Sequence, residues 1–266
     1  MFYLLYTFFI TIPKLSIQLS PYGLMGSVIT TVQLWWFVIT RKMFKYRQDF
    51  LLHGRYKNTS FKVYLRYPMD IAVLREIFID KEYEWVGNNE PKTIIDLGAH
   101  FGDTALYYHS RYPNATIIAV EPSPENYERL VKNTKDISQI IPVQAAVGKV
   151  DGIINLSLGT SALGYSILNP AYAKNSIKVT QVTLRTLLKN NSIEKADLIK
   201  FDIEGAEFDV FYDTSVTRLS NAFVGEVHTD LVPGSTLQNF FSAFEGMQCE
   251  STIISSKGRY VVQIQK

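Results

Sequence analysis

Cysteine is almost missing: Cys249 is the single thiol in 266 residues. No intrachain disulfide, CxxC pair or thiolate zinc cluster can be built from one sulfur, and the expectation is a reducing compartment, the cytoplasm. An excess of one charge is missing too. The formal net charge is +2, so no global field draws in nucleic acid or another polyanion, and no nucleic-acid partner is expected. Internal repeats and low-complexity tracts are absent. The first residues lack the basic start and small-residue cleavage site of a secretory leader. The dinucleotide fingerprint G-x-G-x-x-G is also absent, because Gly98 is followed two positions later by His100.

What is present is 47% apolar composition, enough for one sizeable core. The expected division is a hydrophobic helical extension over 1–55 and one domain over 56–266. In the extension, Met1 to Pro13 is uncharged, Lys14 interrupts, and Leu15 to Thr40 is again uncharged before Arg41, Lys42, Lys45 and Arg47. Leu24, Val28, Val32, Trp35 and Ile39 share one helical face, and Ser27, Thr30 and Thr31 the other. Three readings stand side by side for 1–40: a helix packed on the domain or on a partner, a helix lying on a membrane surface, or a span with a basic flank.

Further on, "YKNTSFKVYLRY" alternates as a strand does, and "DIAVLREIFIDKEY" has helical spacing, with Asp70 as its cap and Ile71, Leu74, Ile77 and Phe78 as its buried stripe. After Pro91, strands alternate with helices. Strands are expected at Thr93–Leu97, "ATIIAV", "IIPVQAAV", "DLIKFDI" and "AFVGEVH", a hairpin around the Asp-Gly of "GKVDGIINLSL", and an antiparallel edge from "TIISSKGRYVVQIQ". "GTSALGYS" (159–166) reads as a connecting loop or a lid over the site. The short apolar runs suit a sheet covered on both faces, and their order implies a doubly wound, mostly parallel α/β fold.

In such a sheet, ligands sit beyond the carboxyl ends of the strands. Asp96 and Gly98 lie at one such end, and a carboxylate there suits a cationic ligand better than a pyrophosphate. S-adenosylmethionine carries both an ammonium and a sulfonium. Glu121 ends the next strand, 25 residues later, where an acidic side chain can accept from both hydroxyls of a ribose. The plain alternatives are a capped turn at Asp96 and a solvated strand end at Glu121. A second cluster follows: Asp202, Glu204 and Glu207 around Gly205, and Glu226 with His228 at the end of "GEVH".

The stretches "IIDLGAHFGDTALYY", "VEPSPENYERLVKN", "QAAVGKVDG", "LIKFDIEGAEFDVF" and "GEVH" resemble, in order and spacing, the FkbM-type S-adenosylmethionine-dependent methyltransferases. The resemblance implies a Rossmann-like class I fold and O-methylation of a sugar, glycan or other hydroxylated metabolite. It implies that Asp96, Gly98, Gly102 and Asp103 surround the methionine end of the cofactor, that Glu121 holds the ribose with Ser123 beside it, and that Ala146 borders the adenine. His100 stands where the family usually has Asn and is expected to bind the cofactor too, at its carboxylate. Asp202, Glu204 and His228 are the expected catalytic residues, His228 as general base with a carboxylate orienting its ring. Alternatively, Asp202, with Glu204 and His228, holds Mg²⁺ or another divalent ion that lowers the pKa of the acceptor hydroxyl, Asp202 and His228 being the first candidates as ligands. Two other functions remain open on sequence: a non-catalytic methyltransferase-like binding module at a membrane, and an NAD-dependent oxidoreductase, which the missing glycine at His100 disfavours.

Overall fold

The computed structural model describes residues 6–21, 23–44, 48–87, 89–157, 176–212, 214–255 and 258–266. The loop or lid expected at 159–166 lies outside them. A π-helical turn (Thr7–Thr11) leads into helices α1 (Ile12–Leu19) and α2 (Gly23–Phe44), the hairpin β1 (Phe50–Tyr56) and β2 (Thr59–Leu65), and α3 (Asp70–Phe78). The alternating part comprises β3 (Thr93–Leu97), α4 (Asp103–Arg111), β4 (Thr116–Val120), α5 (Pro124–Thr134), β5 (Ile140–Val143), β6 (Ala146–Val147), β7 (Gly152–Ser157), β8 (Ser176–Val182), α6 (Leu184–Asn190), β9 (Leu198–Phe201), α7 (Glu207–Val210), α8 (Thr214–Thr217) and β10 (Ala222–His228). Helix α9 (Leu237–Phe241) and strands β11 (Gln248–Ser255) and β12 (Arg259–Gln265) complete it.

Seven strands form the central sheet in the order β11-β12-β10-β9-β3-β4-β5. Strands β5, β4, β3, β9 and β10 are parallel, while β12 runs antiparallel to β10 and β11 antiparallel to β12. The expected doubly wound sheet and its antiparallel edge are therefore both present. Strand order reverses between β3 and β9, which puts the topological switch point beside Leu97 and Phe201. Successive residues of β3 divide between the two cores. Ile94 joins the cluster with α3, α4 and α5, whereas Ile95 and Leu97 join the cluster with α6 and α9. Asp96 shares the Ile94 face, so it lies under α4 rather than at the strand tip.

The division at residues 55 and 56 falls inside β1, and the N-terminal helices are not a separate unit. Ile12, Leu15, Leu19, Leu34, Phe37 and Val38 belong to the same core as β1, β2, α3 and α4. Helix α2 is also turned the other way from its sequence stripe. Ser27 and Thr30 are buried, while Leu24, Val28 and Val32 are exposed. The hydroxyls explain this. Ser27 Oγ donates to the Gly23 carbonyl and Thr31 Oγ1 to the Ser27 carbonyl, so this polar face satisfies itself on its own helix and can enter a core.

Asp70 begins α3, but its carboxylate reaches backwards, accepting from the N–H groups of Arg66 and Tyr67 and from Arg129 Nη2. Ile71, Leu74, Ile77 and Phe78 form the expected buried stripe. The expected Asp-Gly hairpin does not form. Strands β6, β8 and β7 make a small sheet in that order, with β6 parallel to β8. Asp151 instead accepts from Thr183 N–H and Thr186 Oγ1, tying the turn to the start of α6.

Candidate active site

The carboxyl ends of β3, β4, β9 and β10 open into a cavity of 1140 Å³. Gly98, His100, Asp103, Glu121, Ala146, Asp202 and Glu204 line it; Asp96, Gly102, Ser123 and His228 do not.

On the β4 side, Glu121 is 5% exposed. Its Oε2 accepts from His100 N–H at 3.0 Å and its Oε1 from Ser123 N–H at 2.9 Å, leaving a lone pair on each oxygen. Burial pushes its pKa up to about 7, against the lowering effect of His100 and these two N–H groups. Ser123 caps α5, accepting from Asn126 N–H, and so acts on Glu121 through its backbone. The wall beside Glu121 is apolar, made by Val120, Ala145, Ala146, Val147 and Leu156. The chemistry of this end suits an adenosine: apolar side chains next to a carboxylate with acceptor capacity for two hydroxyls.

At the switch point, the structure corrects the expected role of Asp96. Its side chain has no exposed surface, and the cation facing it belongs to the protein: Lys200 Nζ lies 3.1 Å from Asp96 Oδ1. Thr104 Oγ1 donates to the other oxygen, and Lys200 also donates to the carbonyls of Gly98 and Leu97. Burial pulls the Lys200 pKa down, but Asp96, Asp202 and Asp103 outweigh it and hold the ammonium charged. Asp96 therefore reaches the cavity only through Lys200, which does line it. Gly98 has φ +77°, and a Cβ there would stand 1.9 Å from the Asp202 carbonyl oxygen. The close approach this glycine admits is that of the end of β9, and Gly98 itself lines the cavity. Gly102, with φ +95°, starts α4 behind the loop. His100 also has a left-handed backbone, φ 49°, and its Nδ1 lies 3.6 Å from Asp103 Oδ1.

The second cluster sits at the ends of β9 and β10. Glu204 has φ 52°, a conformation that costs a non-glycine residue about 1–2 kcal/mol. His228 is wholly buried, and its Nδ1 lies 2.9 Å from Glu207 Oε1. That same oxygen accepts from Gly205 N–H, so Glu207 both closes the turn and orients the imidazole. Nε2 of His228 faces Glu226 Oε1 at 3.4 Å, Glu204 Oε2 at 3.8 Å and Asp202 Oδ1 at 4.0 Å. Burial pulls the His228 pKa down, but the Glu207 hydrogen bond and the charges of Glu207, Asp202 and Glu226 raise it to about 10. Burial and the Asp202 charge lift Glu226 to about 8 and Glu204 to about 7. His228 has no surface on the cavity, so the general-base role expected for it would act through Asp202 and Glu204, which line the cavity and face its Nε2.

Three further residues were not singled out in the sequence. Tyr83 donates through its hydroxyl to Asp202 Oδ2 at 3.0 Å, and burial holds that phenol protonated. Glu82 lines the cavity, and burial and Asp202 raise it to about 7. Lys200 did carry a signal, a single charge inside the fully buried strand Leu198–Phe201.

The family model "Methyltransferase FkbM domain" matches residues 96–238, more than half of the chain. The chain belongs to the FkbM methyltransferase family. Among curated relatives, "Methyltransferase 1" of Beauveria bassiana is 28% identical over 158 residues, covering 51% of this chain and 64% of that protein. The hexuronic acid methyltransferase AglP of Haloferax volcanii is 22% identical over 146 residues, covering 54% of this chain and 59% of that protein. Both alignments span less than two thirds of the relative's length. Among solved structures, TYW2 of M. jannaschii in complex with AdoMet aligns over 83% of this chain and 89% of that one at 14% identity. Its TM-score of 0.42 is a loose likeness from which no substrate or cofactor follows.

Proposed function

We propose that this chain is an S-adenosylmethionine-dependent O-methyltransferase whose acceptor is a hydroxyl of a sugar, a glycan or a related hydroxylated metabolite. The observation that carries the reading is one continuous cavity, running from Glu121 to the carboxylates at the ends of β9 and β10. Its 1140 Å³ exceeds the roughly 300–1,000 Å³ of a site for one small molecule, which leaves room for an acceptor beside the cofactor. Glu121 holds the ribose, and Ala146 and Leu156 flank the adenine. Asp202 and Glu204, on the same cavity, would face the cationic end of the cofactor.

When bound, the cofactor supplies an electrophilic methyl group on sulfur. The protein's part is placement and proton removal. The cavity holds the acceptor oxygen in line with the C–S bond; positioning of this kind can reach effective molarities of about 10⁵ M. The transfer would leave the C–S electron pair with the departing thioether, so the proton of the acceptor hydroxyl is what the protein's own residues must take up. The hydroxyl proton passes into the carboxylate cluster, a transfer typically worth about 10²- to 10⁴-fold. Tyr83 fixes one oxygen of Asp202, and Glu207 fixes His228 behind it.

The deciding experiment measures thermal stability with S-adenosylmethionine, S-adenosylhomocysteine and NAD. It then compares the masses of glycans, small metabolites and lipids from cells with and without the protein. A rise in Tm with the first two ligands, with loss of one methyl increment from a hydroxylated product in the deficient cells, is the expected outcome. Binding without any such loss in any fraction would leave a non-catalytic module.

The same reading gives the N-terminal helices a membrane-facing role. Leu24, Met25, Val28, Ile29, Val32 and Trp36 form an outward apolar face on α2, and residues 1–48 contain basic but no acidic side chains. That combination favours an anionic lipid surface. Gly23–Arg41 is long and apolar enough to cross a membrane, but 33% of it is buried against the protein, which favours a helix lying on the surface.

A further inference from the structure

The cluster behind the cavity contains an arrangement that proton transfer alone does not explain. His228 is fully buried and donates through Nδ1 to the Glu207 carboxylate, yet among the described residues its Nε2 has no hydrogen-bond partner. That nitrogen points at Asp202 Oδ1, Glu204 Oε2 and Glu226 Oε1, at 4.0, 3.8 and 3.4 Å. The first two separations are too long for hydrogen bonds, and the third is an ion-pair approach without a hydrogen bond. They match two ligand atoms that share one ion through bonds of about 2.0–2.2 Å each.

We propose that Asp202, Glu204 and His228 form a divalent-metal centre at the floor of the cavity, with His228 bound through Nε2 and Glu226 within reach as a fourth ligand. The outer contacts are those a metal site needs. Glu207 fixes the imidazole through its other nitrogen, and Tyr83 occupies Asp202 Oδ2, so that Oδ1 is turned inward. Glu204 is aimed at the cluster by its left-handed backbone. Asp202 and Glu204 also line the cavity, which leaves coordination positions on that side for water or an acceptor oxygen. One imidazole with carboxylates favours a first-row ion such as Mn²⁺ over Mg²⁺, which prefers oxygen alone. Such an ion would lower the pKa of a coordinated hydroxyl. That use rests on the methyltransferase reading; the binding does not.

The test is a Mn²⁺ titration of the chelator-treated full chain, followed by the loss of the free-ion electron paramagnetic resonance signal, with Mg²⁺ in competition. Thermal shifts with S-adenosylmethionine are recorded on the same samples. One Mn²⁺ should bind per chain. Asp202→Asn and Glu204→Gln should each weaken it at least about tenfold, and Glu207→Gln, which leaves all proposed ligands in place, by about 10- to 100-fold. His228→Gln disturbs the buried Glu207 contact and could fail on folding, so the two cavity-facing variants carry the test. An undiminished free Mn²⁺ signal with the wild-type chain overturns the proposal, as does equal binding by the Asp202 and Glu204 variants. Mn²⁺ binding without any cofactor-induced shift would instead remove the methyltransferase reading and leave the metal centre standing.

Discussion

Lys200→Met tests the correction at the switch point. Lys200 and Asp96 are side chains with 2% and 0% exposure, 3.1 Å apart, joining β9 to β3 where strand order reverses. Removing the ammonium leaves a carboxylate with no exposed surface and only the Thr104 hydroxyl as donor, and it frees the carbonyls of Gly98 and Leu97. Breaking one side of a buried pair costs about 3–5 kcal/mol. In a chain of this size that is a fall in Tm of roughly 10 °C. Asp96→Asn should cost a similar amount by stranding the lysine. The double variant Asp96→Asn/Lys200→Met removes both charges together and should be at least about 2 kcal/mol more stable than the sum of the two losses. Urea unfolding with a shared m-value is the assay. Single losses that add to within about 0.5 kcal/mol would refute the pairing and return Asp96 to the role of a free carboxylate.

Three other outcomes are expected. Glu121 has its folded pKa raised from 4.5 to about 7, so its contribution to stability is present below pH 4.5 and is lost as pH rises through 7, an effect of up to about 3 kcal/mol in the ligand-free chain. Ribose binding needs the ionised form, so cofactor affinity should move the opposite way, rising roughly tenfold from pH 6 to pH 8; calorimetry on Glu121→Gln should show weaker and flatter binding. Gly98→Ala, at φ +77° and against the Asp202 carbonyl, should lower stability by more than the about 1–2 kcal/mol of the backbone conformation alone, read by urea unfolding, and should weaken cofactor binding. Vesicles containing phosphatidylserine should sediment the wild-type protein but not Val28→Asp/Val32→Asp, whose side chains are already exposed; wild-type protein left in the supernatant would end the membrane assignment.

What was legible in the chain was what short-range pattern controls. Strands β3, β4, β9 and β10 are largely buried and read as short, mostly apolar runs, and Ser123 and Thr183 cap their helices through their own side chains. Glu121, Asp202 and Glu204 were legible because strand ends put side chains at the cavity. Pairings across the chain were not. Lys200 answers Asp96 over a hundred residues away, and Tyr83 reaches Asp202 from a loop before the first core strand. Strand β1 hid for a local reason: Gly54 interrupts its alternation, and the place of its missing side chain is taken by the ring of Phe61. The direction of α2 was hidden because the hydroxyls of Ser27 and Thr31 are satisfied internally, so polarity no longer indicates which side meets water.

The terminal hairpin, β11 and β12, supplies Thr252, Ile254, Arg259 and Gln263 to the cavity, opposite the loops that carry Glu121. It joins the sheet through β12, whose register places Arg259 across from His228. The wall that meets an incoming molecule is thus carried on an outer ribbon, while the acidic floor is carried on interior strands. Grafting this ribbon between related chains, with Arg259 kept because its Nη1 lies 3.9 Å from Glu226 Oε1, should exchange what the cavity selects and leave the acidic floor in place. Divergence in preference can therefore accumulate at the last strands of the fold with little disturbance to the centre.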